Sequence, residues 1–146
     1  MFCTVSIAGA DFSFYCFKGL REKSHPDLHI ASHKFDEPRC VNLIATHKWV
    51  LAIHGHGCPG AGQVLLGGLD DSLIGDLARA LKDAGLPVTT DVPASYQGKD
   101  PNNICNRGAT KAGAQFELSL PFRRGKHVLK LVKMVRTVLC KRQNAV

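Results

Sequence analysis

Trp49-Val50-Leu51-Ala52-Ile53-His54-Gly55-His56-Gly57 is the stretch from which the rest of the chain can be read. Five consecutive apolar residues closed by glycines have the length and composition of a buried strand. On this reading the strand delivers His54 to its C-terminal edge. Upstream, residues 28–31 read as a further strand. Asp36-Glu37-Pro38 then opens a helix, with Asp as N-cap and Pro in the first turn, ending before Trp49. Downstream, a second apolar run from Gln63 to Leu66 stops at Gly67-Gly68. From Asp70 or Asp71, the positions Leu73, Ile74, Leu77 and Leu81 follow a helical period, and Gly85 and Pro87 supply the stop. Residues 88–92 read as the next strand, followed by a long polar loop from Pro93 to Thr110. Residues 114–120 alternate apolar and polar as a half-exposed strand does. Strands alternating with helices indicate an α/β fold with a mostly parallel or mixed central sheet flanked by helices. No repeat or linker divides the chain, so residues 1–146 read as a single domain.

A hydrophobic fraction of 45% over 146 residues suits one globular core. No run approaches the roughly 18 apolar residues of a membrane span, and the first residues have no signal-peptide pattern. Six cysteines lie without Cys-x-x-Cys spacing, which argues against a zinc ribbon or a compact disulfide framework. Reduced thiols and a cytoplasmic location are the expectation. Lys and Arg outnumber Asp and Glu by 19 to 12, a formal charge of +7, so the field attracts anions. Much of this excess lies between Arg123 and Arg142, where Val128, Leu131, Val132, Val135 and Leu139 recur at helical spacing. That segment reads as a terminal helix with Lys130, Lys133 and Arg136 solvated. It lacks the aromatic residues that a single-strand nucleic-acid surface interleaves with its charges, so nucleic acid is not the expected partner.

Ligands of open α/β sheets gather beyond the carboxyl ends of the strands, which puts His54 first among candidate site residues. Gly55 and Gly57 let the backbone turn and bring His56 near, a plausible pair of imidazoles for a metal, although a histidine hydrogen-bonded in a turn has the same signature. Glu117 interrupts an apolar strand. It is either an edge residue facing water or a general base tuned by a metal-bound water and an arginine, as in zinc-assisted amide hydrolysis. Arg107 and Arg123 are candidates for that cationic role and for gripping a substrate carboxylate. Asn102, Asn103 and Asn106 share the loop before the strand, where turn formation is the commonest task of Asn.

Several blocks in order resemble the poly-γ-glutamate hydrolase family, bacterial and phage proteins often labelled phage-related replication proteins. These are residues 8–19 (Ala-Gly-Ala-Asp-Phe-Ser-Phe-Tyr-Cys-Phe-Lys-Gly), 28–32, 35–38, Ile53-His54-Gly55, 66–70, 98–107 and Gln115-Phe116-Glu117-Leu118-Ser119. The resemblance implies a zinc carboxypeptidase-like fold, a zinc cofactor and hydrolysis of γ-glutamyl amide bonds in an anionic polymer. It implies His54 as a metal ligand, with His56 the second choice, and Glu117 as the catalytic base. Arg107, Arg123 and Asn106 would bind substrate. The family's His-Gly-Gly-Gly-Ile-Glu-like segment, which supplies two metal ligands, has no counterpart in residues 1–7, so an N-terminally incomplete domain lacking its first strand segment is expected. Three functions follow in order of preference: a zinc-dependent poly-γ-glutamate hydrolase, inactive if those ligands are truly missing; a non-catalytic binder of an anionic polymer; and a phage-related replication accessory protein. The last has no helix-turn-helix, nucleotide loop or aromatic platform behind it.

Overall fold

Helix α1 (Pro38–Ala45) starts where the Glu37 carboxylate accepts the Cys40 amide at 2.9 Å and Pro38 occupies the first helical position. Glu37, not Asp36, is therefore the cap, because a proline at the first position makes the residue before it the boundary. This computed structural model describes residues 12–17, 20, 28–57 and 62–145. Residues 1–7 and the flanks of the 8–19 block lie outside the described residues.

After α1 come strand β1 (Leu51–His56), strand β2 (Val64–Gly68), helix α2 (Asp71–Asp83) and a two-residue strand β3 (Val88–Thr89). Strand β4 (Ala114–Ser119), the short helix α3 (Leu120–Arg124) and helix α4 (Val128–Asn144) complete the order. Among the described residues the sheet runs β1-β4-β2-β3; β1 is parallel to β4, β2 antiparallel to β4, and β3 parallel to β2. The expected α/β architecture is present, with the mixed rather than the mostly parallel sheet.

Three strand expectations are corrected. Residues 28–31 are not a strand: the chain there passes into a single 3-10 turn at Ser32–Lys34, and Ile30 packs against a cluster around Phe35. β3 stops at Thr89 instead of reaching Val92, because the Thr89 hydroxyl accepts the Asp91 amide at 3.1 Å and bends the chain out of the ladder. β4 is not half-exposed; all six of its residues are buried, since it lies between β1 and β2 with both faces covered.

One face of the sheet is wholly apolar. Leu51 and Ile53 of β1, Val64 and Leu66 of β2, and Ala114, Phe116 and Leu118 of β4 meet Leu73, Leu77, Ala78 and Leu81 of α2 and Leu131, Val135 and Val138 of α4. Asp70 caps α2 through the Leu73 amide at 2.8 Å, which sets the helix register that aims its leucines inward. Burial of Leu73, Leu77 and Leu81, each at 0% exposure, is worth about 1.5–3 kcal/mol apiece. Helices α2 and α4 are tied at their outer edge by Arg142, which pairs with Asp76 and donates to the Ser72 hydroxyl at 3.3 Å. On α4, Lys130 and Lys133 are exposed as expected, whereas Arg136 is half-buried with its guanidinium over the Phe12 ring. Among the described residues no helix is long and apolar enough to cross a membrane.

Candidate active site

The other face of the same strands carries the polar residues. Successive strand residues alternate between faces, so Ala52, His54 and His56 share one face of β1, and Gln115, Glu117 and Ser119 share the corresponding face of β4. The register pairs His54 with Glu117 and His56 with Ser119. In a parallel pair, residues on one rung project to the same side, so the imidazole and the carboxylate are neighbours although 63 positions separate them in the chain (117 − 54). His54 lies inside β1, not at its end: the glycine at 55 continues the strand, and the chain leaves the sheet only after His56.

Both groups are withdrawn from water, with His54 at 6% and Glu117 at 9% exposure. Tyr15, Phe35, Cys40, Ala52 and Ile104 line a small space beside His54. Removing a charged form from water is costly, so burial acts on the pair in opposite directions. It lowers the His54 imidazole to about 4 and raises the Glu117 carboxyl to about 7. Burial first, and then the Arg123 charge, also lowers His56, whose ring packs on Tyr96 at 5.6 Å.

The remaining predicted residues separate spatially. Arg123 reaches the end of β1: its Nε donates to the Leu118 carbonyl at 3.2 Å and its guanidinium lies against Gly55. Arg107 donates from Nη1 to the Phe35 carbonyl at 2.6 Å, and its charge bears on Cys40. The Glu117 shift has burial as its cause. Asn106 is buried and committed to the backbone. Its Nδ2 donates to the carbonyls of Gly98 and Asp100 at 2.7 and 2.9 Å, and its Oδ1 accepts the Gly113 amide at 3.1 Å. That side chain pins the long loop to the start of β4.

Gln115 was not singled out from the sequence, yet it organises the covered face. Its Oε1 accepts from Asn103 Nδ2 at 2.8 Å and its Nε2 donates to the Tyr96 carbonyl at 3.0 Å. The loop that brings Tyr96 to His56 is therefore anchored from β4 itself. Close approach of this loop demands a glycine at 67, where a Cβ would fall 2.3 Å from the Gln97 carbonyl oxygen. The signal for Gln115 was its spacing: two residues before Glu117 on a strand means the same face.

A catalytic zinc takes three protein ligands as a rule. Among the described residues no group of three or more His, Cys, Asp or Glu side chains is placed to hold a metal. His54 is a chemically suitable donor beside a carboxylate, but the described residues do not complete the site.

Comparison with known proteins gives a consistent result. Residues 3–135 match the family model described as poly-gamma-glutamate hydrolase. UPF0714 protein YndL of Bacillus subtilis (strain 168) is 36% identical over 115 residues, covering 78% of this chain and 45% of that protein. The SPbeta prophage-derived UPF0714 protein YoqZ of the same organism is 32% identical over 114 residues, covering 77% of this chain and 41% of that protein. The chain thus spans a little under half the length of these relatives. A bacteriophage poly-gamma-glutamate hydrolase structure superposes with a TM-score of 0.81 at 23% identity, covering 88% of this chain and 70% of that one, which shows a shared fold. An apo, zinc-free YndL structure superposes with a TM-score of 0.78 at 29% identity, covering 88% of this chain and 71% of that one. The chain belongs to the poly-gamma-glutamate hydrolase family.

Proposed function

We propose that the chain carries the base-bearing part of a site that hydrolyses γ-glutamyl amide bonds in poly-γ-glutamate, with Glu117 as general base and His54 as a zinc ligand. The observation that carries this reading is the His54–Glu117 rung, an imidazole and a carboxylate buried side by side on adjacent strands. A carboxyl raised to about 7 retains enough proton affinity near neutral pH to take a proton from an attacking water, and the lowered imidazole stays in the neutral form that binds metals. In the reaction the water oxygen bonds to the amide carbonyl carbon, Glu117 takes the water proton, and the carbon–nitrogen bond breaks as that proton passes to the leaving amine. Arg123, whose guanidinium lies against Gly55 and whose charge acts on His56, is the residue we assign to a substrate carboxylate. The positive formal charge of +7 suits a polyanionic substrate.

A second reading has a specific observation behind it. Because the described residues stop short of three metal donors, the same basic fold without zinc would bind the polymer and leave it intact. Zinc content by elemental analysis, together with release of short glutamate oligomers from poly-γ-glutamate, separates the two. The hydrolase reading expects stoichiometric zinc and a loss of about 10²- to 10⁴-fold in release for Glu117→Gln. Equal release from both proteins removes Glu117 as the base. Polymer binding without zinc or release establishes the second reading.

A further inference from the structure

Ser13 and His47 lie 34 positions apart, on neither of the strands that carry His54 and Glu117. The Ser13 hydroxyl is 2.8 Å from His47 Nε2. On the far side of the ring, Nδ1 donates to the Leu43 carbonyl at 2.7 Å. The Thr46 hydroxyl, 3.1 Å from Nδ1, gives its own proton to that same carbonyl at 2.9 Å. A carbonyl oxygen only accepts, so in the neutral ring Nδ1 carries the proton and Nε2 keeps a lone pair aimed at Ser13. The backbone fixes the imidazole as well. The His47 amide donates to the Ile44 carbonyl at 2.9 Å, and the His47 carbonyl accepts the Ala109 amide at 2.9 Å. A hydroxyl within reach of a base that a third group orients is the arrangement that activates a serine nucleophile. Both side chains line one cavity of about 450 Å³ between the end of α1, the start of β1 and α4. Ile44, Trp49, Val135 and Leu139 give it apolar walls, and Lys48 also lines it, with its ammonium 4.9 Å from the Trp49 ring centre. Ser13 is exposed, so a substrate carbonyl can reach its oxygen.

We propose that Ser13 and His47 form a nucleophilic site, apart from the His54–Glu117 rung, that cleaves small esters of apolar carboxylic acids. The Ser13 Oγ bonds to the ester carbonyl carbon as its proton passes to His47 Nε2. The carbon–oxygen bond to the alcohol breaks, and His47 returns the proton to the departing alkoxide. A water oxygen then bonds to the acyl carbon, its proton passes to Nε2, the bond to Oγ breaks and Ser13 recovers the proton. The Leu43 carbonyl holds the ring in the required tautomer and stabilises the imidazolium formed in each half of the reaction. A carbonyl carries no full charge, so this support is weaker than a carboxylate's, and an ester rather than an amide is the matching substrate. The apolar walls receive the acyl chain, and Lys48 is assigned to the developing oxyanion.

The test applies two probes to the whole chain: a biotinylated fluorophosphonate, which phosphonylates activated serines, and p-nitrophenyl butyrate. Phosphonylation is expected at Ser13, located by peptide mass spectrometry, in the folded chain and not in urea. Ser13→Ala is expected to abolish it, and His47→Gln to slow it about 10²-fold or more, with ester hydrolysis falling in parallel. His47→Ala is expected to regain part of its labelling rate when imidazole is added, which a residue that merely tethers the 12–17 segment would not do. Absence of labelling at Ser13, or an equal rate there in His47→Gln, overturns the proposal. So does equal labelling of Ser13 in folded and urea-unfolded protein, a comparison that holds even where a variant fails to fold.

Discussion

Phe116 and Glu117 are consecutive residues of β4, yet they belong to two different kinds of protein interior. Phe116, at 0% exposure, faces the layer where strands meet the leucines of α2 and the aliphatic stripe of α4. Glu117 faces the opposite way, with His54 on its rung and Gln115 and Ser119 along its own strand. The first face is stabilised by apolar area and close packing. The second is buried almost as deeply, but beside an apolar cluster of Phe35, Cys40, Val50, Ala52 and Ile104 it holds groups that need partners or shifted protonation to be there. The larger apolar core and the unusual polar pair thus lie on opposite sides of one sheet, one residue step apart.

The comparison breaks most readily at the apolar face. Phe116→Ala is expected to cost about 3–5 kcal/mol, because it removes the ring and leaves a cavity between sheet and helices; urea unfolding measures it, and a loss below about 1 kcal/mol would contradict the packing role. On the polar face, the largest stability effect belongs to a residue that holds the cover in place. Asn106→Ala strands the Gly113 amide and the Gly98 carbonyl and takes one of two donors from the Asp100 carbonyl, at about 1–3 kcal/mol for buried groups left unsatisfied. Its protection from hydrogen exchange is expected to fall first across residues 98–113.

The effect that distinguishes the faces most sharply is in pH. For the metal-free chain, Glu117 is raised from 4.5 to about 7, so its neutral form is favoured by folding, and its stabilising contribution is complete below 4.5 and lost as pH rises through about 7. His54 is lowered from 6.5 to about 4, so its contribution is present above 6.5 and lost as pH falls through about 4. Stability is therefore expected to peak in mildly acidic solution. Glu117→Gln should flatten the alkaline limb and leave the acidic limb in place, as thermal melts across pH 4 to 8 would reveal. An unchanged alkaline limb would mean that Glu117 is not the buried acid of this face.

Much of the framework was legible residue by residue. Helix α2 declared itself through Asp70, the Leu73-Leu77-Leu81 period and Gly85, because caps and helical periodicity are local. The apolar runs of β1 and β2 and the inward stripe of α4 were legible for the same reason. His54 and Glu117 stood out as chemical oddities in glycine-rich or apolar settings, while Arg107 and Arg123 were equal candidates for a cationic role. The 28–31 stretch, the length of β3 and the exposure of β4 were misread. Local turns at residues 32–34 and 89–91 overrode the first two patterns, and the central place of β4 between β1 and β2 overrode the third.

What the amino-acid order determined alone was the set of elements and the unusual side chains within them, since propensity, capping and alternation act over a few residues. Only the tertiary structure decided that β4 is central, that His54 and Glu117 share a rung, that Asn106 is spent on the backbone, and that Gly55 makes room for Arg123. Those facts depend on strand order and register, which are set by how the whole apolar face closes against α2 and α4. No local pattern carries that information.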